Sequence, residues 1–93
     1  MWQVLEHRRV DKQCAAAQQE VLKRYEKWKD IAAISGPLGL RHIAGFHDEA
    51  FAGAWRGHRS SRLGVQFRVI CRVLPDASIF QVTSITAHGY RRP

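Results

Sequence analysis

The spacing of apolar residues changes period along the chain, and each change marks an element. Trp2 to Glu6 alternates apolar with polar, which predicts a short first strand. From Arg9 to Ser35 the period lengthens to that of a helix. Val10, Cys14 and Ala17 form one stripe. Val21, Tyr25, Trp28 and Ala32 form another, with Leu22 and Ile31 beside it. A straight rod cannot bury both stripes against each other, so the polar Gln18-Gln19 pair predicts a tight turn between two antiparallel helices. Ser35-Gly36-Pro37 predicts the end of the second helix, because glycine suits the C-terminal cap and proline cannot continue.

Gly36 to Ala54 reads as a linker, yet Leu38, Leu40, Ile43, Phe46 and Phe51 predict that it packs on the core. Trp55 to Leu63 reads as a strand. Val65 to Val73 has the clearest alternation: Val65, Phe67, Val69, Cys71 and Val73 on one face, Gln66, Arg68 and Arg72 on the other. Leu74 to Ala77 is a turn and Ser78 to Ala87 a last strand. The order is β-α-α-β-β-β. It predicts an α+β fold, a twisted antiparallel sheet packed against two N-terminal helices, over residues 1–93 as a single domain.

Charge alters this picture because it is lopsided. Residues 1–49 hold eight Lys/Arg and seven Asp/Glu, whereas residues 50–93 hold seven Arg and one acid, Asp76. No Lys follows Lys29, so every later cation is a guanidinium, the planar donor that fits phosphate in bidentate fashion. The net charge of +7 thus points to a polyanion, RNA before a membrane, since no apolar run is long enough to span one. The N-terminus lacks a signal peptide's basic region and apolar core, which predicts a cytoplasmic protein. Cys14 and Cys71 form no CxxC pair and have no histidine cluster nearby, so they read as small buried hydrophobes and no metal site is expected.

Arg62 and Arg68 lie on neighbouring predicted strands. A hairpin turned near Gly64 would let them converge. Two converging guanidiniums repel unless an anion lies between them, which suggests a phosphate site. His47, His58 and His88 can move protons near neutral pH, and Tyr90 can donate to phosphate or stack on a base. RNA cleavage needs only a base for the 2′-OH, an acid for the leaving 5′-oxygen and cations for the phosphate, so no cofactor is expected.

The stretch Gly45-Phe46-His47-Asp48-Glu49, the run Gly57-His58-Arg59-Ser60-Ser61-Arg62-Leu63, then Gln66-Phe67-Arg68-Val69-Ile70 and the ending His88-Gly89-Tyr90-Arg91-Arg92 together resemble the RelE/ParE superfamily of bacterial toxins. The YafQ-like and HigB-like branch is the nearest. The resemblance implies a fold like that of microbial RNases. It also implies cleavage of translated mRNA at the ribosome and silencing by an antitoxin encoded in a neighbouring gene. By the same resemblance Arg62 and Arg68 hold the scissile phosphate, and His88, Tyr90 and His47 are the catalytic candidates. Arg56, His58, Arg59, Arg91 and Arg92 are expected to bind RNA. The sequence departs from the pattern at Cys71, where the branch usually has Tyr, and at Gly89, where Asp is usual. Two other readings keep the arginines: a ParE-like gyrase poison, and a non-catalytic RNA- or ribosome-binding module.

Overall fold

Trp28 sits fully buried where the helix stripe meets the sheet. In the computed structural model, which describes residues 1–87, β1 (Gln3–Glu6) leads into α1 (Arg9–Ala16) and α2 (Gln19–Arg41). The short strand β2 (Glu49–Ala50) follows, then β3 (His58–Arg62), β4 (Phe67–Leu74) and β5 (Ile79–Ala87). The sheet order is β1-β5-β4-β3-β2. Trp28 meets Phe80 of β5 edge-on at 5.7 Å between ring centroids and stacks with Tyr25 at 6.0 Å. Val10, Val21, Leu40, Phe46, Val69, Val82 and Ile85 complete the same core. The two helical stripes read from the sequence are therefore the two sources of its helical side.

The sheet is mixed. The β3-β4-β5 hairpins are antiparallel, but β1 runs parallel to β5, with Gln3 opposite Ile79 and Glu6 opposite Val82. The sequence pattern predicts an all-antiparallel sheet. Both helices and strands β2 to β4 lie between β1 and β5, a connection long enough for parallel pairing. Where β1 ends, α1 covers the exposed edge of β5: the Gln13 side-chain oxygen accepts the Ile85 N–H at 2.6 Å.

Local corrections follow from glycine and from side-chain spacing. The second helix breaks at Ser35-Gly36-Pro37, where the sequence predicts its end. Gly36 breaks it with φ 67° and ψ −163°, a conformation open essentially to glycine alone, and a further turn then runs to Arg41 with Pro37 at its start. A Cβ on Gly36 would lie 2.5 Å from the Trp2 indole nitrogen, so the break also lets Trp2 dock. Gly53–Trp55 forms a 3-10 turn and Gly57 has φ 93°, so β3 begins at His58 and not at Trp55. Val65 is in the turn, 92% exposed, and β4 starts at Phe67. In β5 the core residues Phe80 and Val82 are two apart, but Val82 and Ile85 are three apart. A bulge absorbs the extra residue: Ile70 faces Ser84 and Cys71 faces Val82, and the Thr83 hydroxyl between them donates to the Ile70 carbonyl at 3.1 Å.

Candidate functional site

The cross-strand register decides which face each arginine takes. Ser61 is opposite Val69 and Arg59 is opposite Cys71, and Val69 and Cys71 belong to the core. Arg59 and Ser61 therefore point to the helical side. His58, Ser60 and Arg62 on β3, with Arg68, Ile70 and Arg72 on β4, point to the other. On that outer face Arg62 is directly opposite Arg68, as the turn near Gly64 predicts.

Arg68 is tethered although its face is open. Its Nε donates to the Ser60 hydroxyl at 3.0 Å, and a terminal nitrogen donates to the same hydroxyl at 2.8 Å and to the His47 carbonyl at 3.2 Å. A longer 3.4 Å contact reaches the Glu49 carboxylate. Only 12% of the Arg68 side chain is exposed, against 71% of Glu49. Arg62 is exposed and has no ion-pair partner among the described residues. Like charges on one rung destabilise a sheet. A preorganised guanidinium beside a free one is a seat for an anion with several acceptor oxygens.

Residues 46–49 bring acid-base groups to this seat by alternating in and out. Phe46 is buried in the core. His47 has φ 43°, a left-handed turn that leaves its side chain exposed and aims its carbonyl at Arg68. Asp48 turns in; its carboxylate is 1% exposed and binds Arg59 through one oxygen and the Ser61 hydroxyl through the other, at 3.1 Å. Glu49 turns out again, on β2 opposite Ser60. The buried Asp48 thus anchors the segment that brings the His47 carbonyl and the Glu49 carboxylate beside Arg68.

The structure brings Arg62, Arg68 and His47 together, but not Arg59, whose guanidinium is committed to Asp48 on the opposite face. Arg59, expected to bind RNA, is paired with Asp48 away from the Arg62–Arg68 rung. Arg56 is exposed in the loop before β3. His58 is half-buried on the outer face, opposite Arg72 and edge-on to Trp55. His88, Tyr90, Arg91 and Arg92 lie outside the described residues. Thr86, two residues before His88, is opposite Arg68.

Sequence reasoning missed four residues here. Ser60, Asp48 and Glu49 gave no signal of their own. Arg72 gave one, since it shares the polar face with Arg68 in the β4 alternation. Cys71 is not a nucleophile: burial, with Asp48 nearby, pushes its thiol up to about 12. No group of three His, Cys, Asp or Glu among the described residues is placed to hold a metal ion. No helix among them is long and apolar enough to cross a membrane.

No family model and no curated protein matches the sequence. Solved structures do match in fold. A chain of the archaeal RelE-RelB complex from Pyrococcus horikoshii OT3 superposes with a TM-score of 0.75 at 20% identity, over 97% of this chain and 98% of that one. A chain of the E. coli DinJ-YafQ toxin-antitoxin complex gives 0.74 at 13% identity, over 94% and 92%. The YoeB/ParE toxin from Agrobacterium tumefaciens gives 0.72 at 12% identity, over 92% and 98%. Two helices on a five-stranded mixed sheet are thus arranged as in RelE-like toxins.

Proposed function

We propose that this chain is the toxin of a toxin-antitoxin pair, a cytoplasmic endoribonuclease that cleaves translated mRNA at the ribosome without a metal or other cofactor. The observation that carries this reading is the Arg62–Arg68 rung, with Arg68 tethered and His47 and Glu49 beside it. The shared fold supports it, since the similar structures include RelE-RelB and DinJ-YafQ complexes.

In this reading one RNA phosphate sits between Arg62 and Arg68 and displaces Glu49. A base removes the 2′-OH proton, the 2′-oxygen bonds to phosphorus, and the bond to the 5′-oxygen breaks as an acid protonates it. The guanidiniums stabilise the charge that builds on the phosphate oxygens. Glu49 has its carboxylate within reach of Arg68, and His47, whose backbone carbonyl holds Arg68, is the reserve base of the proposal. His88 is the main proton-transfer residue of the proposal, Tyr90 positions the substrate, and Arg56, Arg91 and Arg92 hold flanking phosphates. The antitoxin is a protein from a neighbouring gene, acidic where it covers the arginine face.

The test is cleavage of ribosome-bound mRNA by purified protein, with Arg68→Ala alongside. Cleavage by the wild type that Arg68→Ala abolishes is the expected result. Inhibition of DNA supercoiling without RNA cleavage would replace this reading with a gyrase poison. RNA binding with no cleavage would leave a non-catalytic module.

A further inference from the structure

We infer that Arg72 and His58 form a second nucleotide subsite, which takes the phosphate and base of a residue further along the single strand gripped by Arg62 and Arg68. The inference rests on the RNA reading of this face.

Arg72 points the same way as Arg68, four residues along β4. At about 3.3 Å per residue the two side chains start roughly 13 Å apart, and the Arg68 guanidinium is held back at Ser60 and the His47 carbonyl, so the two serve different stretches of a strand. Between them stands Ile70, buried and uncharged, so the positive charge falls in two separate patches. Arg72 is exposed and, among the described residues, no carboxylate lies within ion-pair distance of it. A cation left unneutralised on a sheet face remains available to an anion.

His58 adds the second observation. It is directly opposite Arg72, and its ring packs edge-on against Trp55, centroids 5.2 Å apart at 81°. Its Nδ1 is buried without a hydrogen-bond partner. Nε2 is not among the buried unpartnered atoms. The ring is therefore held by Trp55 with a ring nitrogen that has no partner among the described residues. Gln81, opposite Arg72 on β5, supplies an amide on the other flank. A guanidinium for phosphate, an imidazole and an amide for a base edge, and an aromatic wall are the elements that hold one nucleotide of a single strand. An acidic protein would use Arg72 but has no need of the clamped histidine.

The probe is a fluorescent single-stranded RNA with 2′-O-methyl sugars, which cannot be cleaved by 2′-hydroxyl attack, titrated over a range of salt. Arg72→Ala is expected to weaken binding about tenfold, as for one charge-assisted contact. It should also lower the slope of log affinity on log salt by about 0.7, one phosphate on a single strand. Arg72→Lys should restore the slope. On an RNA too short to reach from Arg68 to Arg72, Arg72→Ala should bind as the wild type does, whereas Arg68→Ala should be weak on both lengths. His58→Ala should follow Arg72→Ala. If Arg72→Ala keeps the wild-type slope on the long RNA while Arg68→Ala loses it, the subsite is overturned and the Arg62–Arg68 reading stands. A loss for Arg72→Ala that is equal on both lengths and comes with a lower melting temperature overturns it too, as a structural effect. If neither RNA binds the wild type, the RNA reading itself falls and takes the subsite with it.

Discussion

Arg59 and Arg68 lie on paired strands and have opposite fates. Arg59 faces the helices, where Asp48, its carboxylate 1% exposed, holds it. Arg68 faces away, tethered by a hydroxyl and a carbonyl, and its carboxylate neighbour Glu49 is 71% exposed. A buried ion pair cannot be opened without leaving a charge stranded. A long contact to a carboxylate in solvent contributes about 0–1 kcal/mol and yields readily to a better anion. Strand parity, not residue type, separates the arginine that holds the fold from the one that can hold a ligand.

The comparison breaks first at its functional arm. Arg68→Ala should lower single-turnover cleavage of ribosome-bound mRNA by about 10²–10³-fold, the effect of removing one preorganised transition-state donor. Its urea midpoint should stay close to the wild type's. Arg59→Ala should do the reverse and cost about 3 kcal/mol in urea unfolding, because Asp48 is left buried and uncompensated. If Arg59→Ala unfolds like the wild type but binds RNA poorly, the assignment of the two arginines is inverted. Arg68→Lys sharpens the contrast: the charge remains, the fork to Ser60 and the phosphate does not, and cleavage should fall about tenfold. The smallest effect belongs to Glu49→Gln. Removing the competing carboxylate should raise RNA affinity by a few-fold at most, the worth of such a long contact. If Glu49 is also the base, cleavage falls while binding rises, and the two measurements separate its roles.

The β4 alternation and the turn at Gly64 make the Arg62–Arg68 rung legible in the sequence, because a hairpin's register follows from its turn. The spacing in β5 carries its bulge as well: Phe80, Val82 and Ile85 are two and then three apart, which a regular strand cannot bury. Other features depend on contacts that no local pattern encodes. Asp48 looks like any acid in a polar stretch until the short β2 brings it beneath Arg59. Gly36 and Pro37 end the second helix as local rules predict, but the further turn to Arg41, which packs Leu40, 1% exposed, into the core, has no local signal. The parallel place of β1 joins residues from the two ends of the described chain, beyond the reach of periodicity.

That pairing of β1 with β5 sets an order of assembly. The β3-β4-β5 meander closes through turns of a few residues, so its loop entropy is small and it can form early. Gln3 must wait for Ile79, with both helices between them. Contacts of such separation slow folding, because the chain loses its freedom before the contact repays the loss. During synthesis the first strand leaves the ribosome unpaired and stays so until β5 has followed. The arginine rung is thus built inside a sheet whose edge is completed last, and a nascent chain carries its basic face before it has a finished fold.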